Sequence, residues 1–280
     1  MKISILEKLI QKVQFISQTV IATLRGYIQV DFLKNRIRFA KGSHVPTGHF
    51  CLPRKTCRNR IVRDTDYVQQ LALSAFFESH PSANVFVDIG AFHGYFALPL
   101  GALLKKRDGC VIAVEPDPCS LAKLRDSVQL NDLGATISCV PVAVSNEPGR
   151  LNLRQASSQS VLEPYPSGKG VDVEVKTLEQ ILDEHKIEDV DCLMVDVEGA
   201  ELRVLQGTPK NVLLQAELFV EMHPYAWPNF GYTAQDFDAW LAKENLVCID
   251  MFHRIHKQFA GDPWAPEYIG PTKLVHRSRL

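Results

Sequence analysis

The stretch Val85-Phe86-Val87-Asp88-Ile89-Gly90-Ala91-Phe92-His93-Gly94 decides how the rest of this chain is read. Val85 to Ile89 is a short apolar run of strand length. It ends in a loop carrying Gly90 and Gly94, and glycine lets a backbone turn sharply and approach a ligand without a Cβ clash. A helix-like segment follows from Tyr95 to Leu104. Strand, glycine loop and helix together open a βαβ unit.

The same cycle recurs in both directions. Upstream, Asp64-Thr65-Asp66 can cap a helix carrying Val68, Leu71, Ala72, Ala75 and Phe76, which His80-Pro81-Ser82 breaks. Downstream, strands are predicted at Cys110–Val114, Thr136–Val140, Asp191–Val195, Leu218–Val220 and Leu246–Met251. Helices are predicted at Cys119–Leu130, Leu178–Glu184 behind a T-x-x-Q capping box, Ala200–Gln206 closed by Gly207, and Thr233–Asn245. Alternation of this kind predicts an α/β fold with a mostly parallel sheet covered on both faces. Ligands of such sheets bind at the carboxyl ends of the strands. Here those ends carry Asp88, Glu115, Asp196 and Glu221. A strand needs no acid at its end to fold, so four in register point to a site, although strand-end acids also cap helices.

Glu115 follows Gly94 by 21 positions, at the end of the next strand. An acid about 20 residues beyond a glycine loop is the usual partner of ribose hydroxyls, and a carboxylate accepts both hydrogen bonds of a vicinal diol. A dinucleotide binder normally reads G-x-G-x-x-G, with pyrophosphate on the helix N-terminus. This loop lacks the first G-x-G and opens with Asp88, which repels pyrophosphate and suits a cationic ligand. The sulfonium and ammonium of S-adenosylmethionine fit that field better than NAD does.

Composition is that of an ordinary globular protein. The 280 residues carry 31 basic and 32 acidic side chains, a net charge of −1, with 46% hydrophobic and 22% charged residues. Disordered and collagen-like chains are excluded, and the balance argues against a nucleic-acid binder. The length suits one large domain or two small ones. The seven cysteines are odd in number and form no C-x-x-C, so neither a zinc framework nor a disulfide scaffold is indicated. Cys110, Cys139, Cys192 and Cys248 lie in apolar runs and are expected as buried reduced thiols.

At the N-terminus, Ile5, Leu6, Leu9, Ile10, Val13, Ile16, Val20 and Leu24 form a helical stripe. It would pack on its own domain, on a second subunit in a homodimer, or on a membrane surface with Lys2, Lys8, Lys12 and Arg25. Its longest uncharged run is too short to span a bilayer and lacks a cleavage site, so a cytoplasmic protein without a transmembrane segment is expected. Lys41, Arg54, Lys55, Arg58, Arg60 and Arg63 form a basic run, either a solvated face or a contact for an anionic substrate. The expected organisation is a helical and basic extension over 1–63, a catalytic domain over 64–257 and a tail over 258–280.

The segments VFVDIGAFHGYFALPL, VIAVEPDP, LMVDVEGAELRVLQG and FVEMHP resemble the FkbM family of S-adenosylmethionine-dependent methyltransferases, over roughly residues 60 to 255. D-x-E-G-A-E is the most specific piece. The resemblance implies a Rossmann-like class I methyltransferase fold with a seven-stranded sheet, and O-methylation of a hydroxyl on a sugar-containing or polyketide-like molecule. It implies that Asp88, Gly90 and Gly94 line the methionine end and that Glu115, with Pro116 and Asp117, holds the ribose. Ala143, Val144 and Ser145 would lie near adenine. Asp196, Glu198, Glu221 and His223 would face the acceptor, which could be a small molecule, a glycan or a glycolipid. The family usually has asparagine where Phe92 stands and often lysine where Met194 stands.

A hydroxyl acceptor needs a base. Asp196, Glu198, Glu221, His223 and His93 are candidates, with His223 favoured because an ordinary histidine titrates near neutrality, at about 6.5. Glu221 and His223 are two apart, as are Asp196 and Glu198, so on extended chain each pair projects to one side. Asp196, Glu221 and His223 are also types that hold magnesium, but spacing alone assigns no metal. Leu151–Val171, rich in serine, proline and glycine, is expected as a mobile lid or a plain surface loop. Two rival readings are a Rossmann oxidoreductase and a donor-binding protein that has lost catalysis.

Overall fold

The computed structural model describes residues 27–32, 35–41, 43, 65–155, 160–163, 170–250, 255–256, 258–260 and 270–280. The N-terminal stripe and nearly all of the basic run lie outside these. In chain order come β1 (Tyr27–Phe32), β2 (Asn35–Ala40), α1 (Thr65–Ser79), β3 (Val85–Ile89), α2 (Ala97–Leu104), β4 (Cys110–Val114) and α3 (Pro118–Leu130). Then follow β5 (Ile137–Val140), β6 (Ala143–Val144), β7 (Gly149–Gln155), β8 (Ser160–Glu163), β9 (Val171–Lys176), α4 (Leu178–Glu184) and β10 (Cys192–Val195). The chain closes with α5 (Glu201–Gln206), α6 (Lys210–Gln215), β11 (Glu217–Met222), α7 (Ala234–Lys243), β12 (Leu246–Asp250), β13 (Ile255–His256) and β14 (Gly270–His276).

The main sheet has eight strands in the order β13-β12-β14-β11-β10-β3-β4-β5, one more than the resemblance implies. β5, β4, β3, β10 and β11 run parallel. β14 is antiparallel to both of its neighbours, β11 and β12. The added strand is the two-residue β13, paired with β12. Residues read as a tail therefore supply an interior strand of the sheet.

Alternation along each strand explains the two layers. Val87 and Ile89 of β3 enter one core with Ile112, Val114, Leu193 and Val195. Phe86 enters the other with Val111, Ala113, Cys192, Met194 and Phe219. Burying both faces removes apolar area from water on each side, worth roughly 25 cal/mol per Å². Met194, where the resemblance suggested lysine, is one of these fully buried side chains, paired across the sheet with Asp88. Part of the N-terminal extension belongs to the second core: Ile37 and Phe39 of β2 are buried there. The Ala40 N–H donates to Ser127 Oγ of α3 at 2.9 Å.

The capping signal at Thr177 and the closing Gly207 act as read, the Asp64 cap lies outside the described residues, and a second capping box is present at Thr233. Thr177 and Gln180 close a capping box before α4, Thr233 and Asp236 close one before α7, and Gly207 caps α5. Of the segment Leu151–Val171, read as a lid or a plain surface loop, residues 156–159 and 164–169 lie outside the described residues, and most of the rest is strand. β7, β8 and β9 join β6 in a second, four-stranded sheet ordered β6-β9-β7-β8. Leu153, Val173 and Val175 alternate into the core, which is what makes these segments strands. Among the described residues no helix is long and apolar enough to cross a membrane. Cys192 and Cys248 are buried free thiols, whereas Cys110 and Cys139 are only half-buried.

Candidate active site

The loop after β3 is strapped between the ends of two neighbouring strands. The Gly90 and Ala91 N–H groups both donate to the Val114 carbonyl of β4, at 2.9 and 3.0 Å. On the other side the Asp196 N–H donates to the Ile89 carbonyl at 2.9 Å. Gly90 has φ +90°, and a Cβ there would lie 1.7 Å from the Asp196 carbonyl oxygen. A Cβ on Gly94 would meet Leu98 and Leu124 instead. The space these glycines vacate is filled by protein: Gly90 lets β10 come close, and Gly94 lets α2 and α3 come close.

Glu115, just beyond β4, accepts the Phe92 N–H on Oε2 and the Asp117 N–H on Oε1, both at 2.8 Å. Burial pushes its carboxyl up to about 7, although the two N–H bonds pull the other way. Asp88 is wholly buried, and neither of its oxygens has a hydrogen-bond partner within bonding distance. Burial drives its carboxyl well above the ordinary carboxylate range, the charge of Asp196 adds to this, and the Ala97 N–H offsets part. A buried carboxyl whose burial is so little offset by hydrogen bonds is the kind of group that clusters at functional sites. Asp117 caps α3, its Oδ2 accepting from the Ser120 N–H and Oγ–H. Phe92 holds a left-handed backbone, φ 47°, with its ring stacked on His93 at 3.7 Å between centroids. Asparagine tolerates that conformation far better than phenylalanine.

The ends of β10 and β11 build a second cluster around Glu201. This residue was not singled out from the sequence, although it is the last acid of D-x-E-G-A-E. It is fully buried. Its Oε1 accepts from the Gly199 N–H at 2.8 Å and bonds His223 Nδ1 at 2.7 Å. Its Oε2 accepts from the Trp227 Nε1–H at 2.8 Å. Tyr232 closes the cage, donating to the Gly199 carbonyl while accepting from the Leu202 N–H. With Nδ1 fixed, His223 turns Nε2 toward Glu198 Oε2 at 3.5 Å and Asp196 Oδ1 at 3.9 Å. Glu198 reaches this place on a left-handed backbone, φ 51°, and accepts the Tyr225 hydroxyl at 3.1 Å.

Burial alone would lower the His223 pKa, but the Glu201 hydrogen bond and the charges of Glu201, Asp196 and Glu198 raise it to about 10. The surrounding carboxylates thus favour the protonated ring, which works against the near-neutral titration expected of His223 as a base. The structure brings Asp196, Glu198 and His223 together, one ligand-type atom from each lying within 4.8 Å of the others. Glu221 is buried on β11 but is not one of this set. His93 lies under Phe92. Ala143 and Val144 are buried strand residues of β6, and Ser145 donates its N–H to the Lys176 carbonyl.

The sequence profile of the methyltransferase FkbM domain matches residues 88–247, from Asp88 on β3 into β12. Methyltransferase sdnD of Sordaria araneosa is 29% identical over 160 residues, 45% of this chain and 61% of its own. The chain thus matches under two thirds of that relative's length. Among solved structures, the methyltransferase FkbM of Methylobacillus flagellatus is 16% identical with a TM-score of 0.43, over 69% of this chain and 43% of that one. The O-methyltransferase of Bacillus cereus, solved with SAH, is 10% identical with a TM-score of 0.39, over 75% of this chain and 79% of that one. The class of the fold rests on the strand order and not on these weak superpositions. Because the profile takes in both strand-end clusters and more than half of the chain, this protein belongs to the FkbM methyltransferase family.

Proposed function

We propose that the protein is an S-adenosylmethionine-dependent methyltransferase acting on a hydroxyl oxygen of a sugar-containing or polyketide-like acceptor. The observation that carries this reading is the gathering of acids at adjoining strand ends, where Asp88 feels the charges of both Asp196 and Glu115. Such a field favours a cationic ligand and disfavours a pyrophosphate, which sets the oxidoreductase reading aside. When bound, S-adenosylmethionine supplies a methyl carbon activated by positive sulfur. Glu115 would accept the ribose hydroxyls beside Pro116 and Asp117. Asp88 would face the charged methionine end, and Ala143 and Val144 would flank the adenine side. Asp196 would take the proton of the acceptor hydroxyl, with His223 and Glu221 shaping the charge around it.

Transfer of labelled methyl to a panel of glycans, glycolipids and macrolides tests this. The wild-type chain is expected to methylate at least one class, and Asp196→Asn to lower turnover by about 10² or more while donor binding persists. Equal turnover by Asp196→Asn would remove that residue from the chemistry.

A further inference from the structure

We propose that Asp196, Glu198 and His223 form a binding site for a divalent metal cation, with Glu201 as the residue that orients the histidine ligand. Two carboxylates and an imidazole are a donor set that manganese, iron and zinc all accept. Donor atoms about 2.1 Å from one metal stand roughly 3.0–3.5 Å apart at octahedral to tetrahedral angles. The observed separations from His223 Nε2 are 3.5 Å to Glu198 and 3.9 Å to Asp196, and the three donor atoms all lie within 4.8 Å of one another, so the ligands would draw together around a bound cation.

A second observation comes from the histidine. His223 is only 3% exposed, its Nδ1 is taken by Glu201, and its Nε2 is aimed between the two carboxylates, 3.5 Å from Glu198 and 3.9 Å from Asp196. Its other nitrogen is held by Glu201 at 2.7 Å, and Glu201 is itself fixed by Trp227 and the Gly199 N–H. A carboxylate–histidine pair of this form sets the tautomer and raises the basicity of a metal-binding imidazole. Charge points the same way: three carboxylates surround one ring, and a dication balances them better than a proton does. Three protein ligands leave coordination positions for water or for an acceptor oxygen.

The site stands on this geometry and not on the methyl-transfer reading, and the test keeps the two apart. Mn2+ alone is titrated into the full chain and free Mn2+ is followed by electron paramagnetic resonance, with S-adenosylmethionine binding measured separately on the same preparation. One Mn2+ per chain is expected. Asp196→Asn and His223→Ala should each weaken it more than tenfold, and Glu201→Gln by about tenfold as a second-sphere change. If His223→Ala does not fold, Glu198→Gln decides, since Glu198 is partly exposed and its loss spares the buried cage. No binding at millimolar Mn2+, or binding untouched by Asp196→Asn and Glu198→Gln, overturns the inference even if the donor still binds.

Discussion

Glu201 shows how much one buried charge can organise. Its two oxygens serve Gly199, His223 and Trp227, so removal strands three buried donors at once. Glu201→Ala is therefore expected to cost about 3–5 kcal/mol in urea unfolding, the range for breaking a buried ionic pair. A loss under 1 kcal/mol would show that the cage is not what fixes His223. The residue went unnoticed because an acid in the first turn of a helix is ordinary, and only the fold brings it under the strand-end histidine. Phe92 carries an opposite expectation. Its left-handed backbone costs roughly 1–2 kcal/mol, which asparagine would relieve while losing the stack on His93. Phe92→Asn should therefore shift stability by less than about 1 kcal/mol in thermal melts.

At the scale of elements, the turn between β3 and α2 tolerates far less. Gly90→Ala would drive a methyl group into the Asp196 carbonyl and force β10 away from β3. It should prevent folding, or cost well over about 3 kcal/mol by chemical denaturation, as clashes in rigid backbone do. The parallel strands and their helices were legible because apolar runs, caps and glycine turns coincide with single elements. Part of the strand-end pattern was legible too, since Asp88 lies near enough to Asp196 and Glu115 to feel both charges, whereas Glu221 is not one of the Asp196, Glu198 and His223 set. β14 was not legible. Its sequence, Gly270-Pro271-Thr272-Lys273-Leu274-Val275-His276, begins with a glycine and a proline and carries no clean alternation. Only pairing with β11 and β12 makes it a strand. β7 to β9 were hidden for a related reason, because serine, proline and glycine between them read as loop. A chain ending at residue 269 loses the strand that joins β11 to β12, and is expected to be recovered only as aggregate. A soluble, cooperatively melting product would contradict the topology.

At the scale of the whole molecule, the strand-end acids make stability depend on pH. Glu115 titrates at about 7 when folded, against 4.5 as the ordinary value. Between these the folded chain holds a proton that the unfolded chain has released, so stability falls as pH rises through that window. Asp88 is raised in the same direction and adds to the slope. Urea midpoints should thus be higher at pH 5 than at pH 8, with Glu115→Gln reducing the difference. A ligand cation reverses the balance, because it favours the ionised acids that folding alone penalises.

Isothermal titration of S-adenosylmethionine into the wild-type chain, Asp88→Asn and Glu115→Gln at pH 8 tests that balance most directly. The account predicts binding by the wild type and at least a tenfold loss of affinity in each variant, the equivalent of about 1.4 kcal/mol. Equal affinity across all three proteins would contradict it.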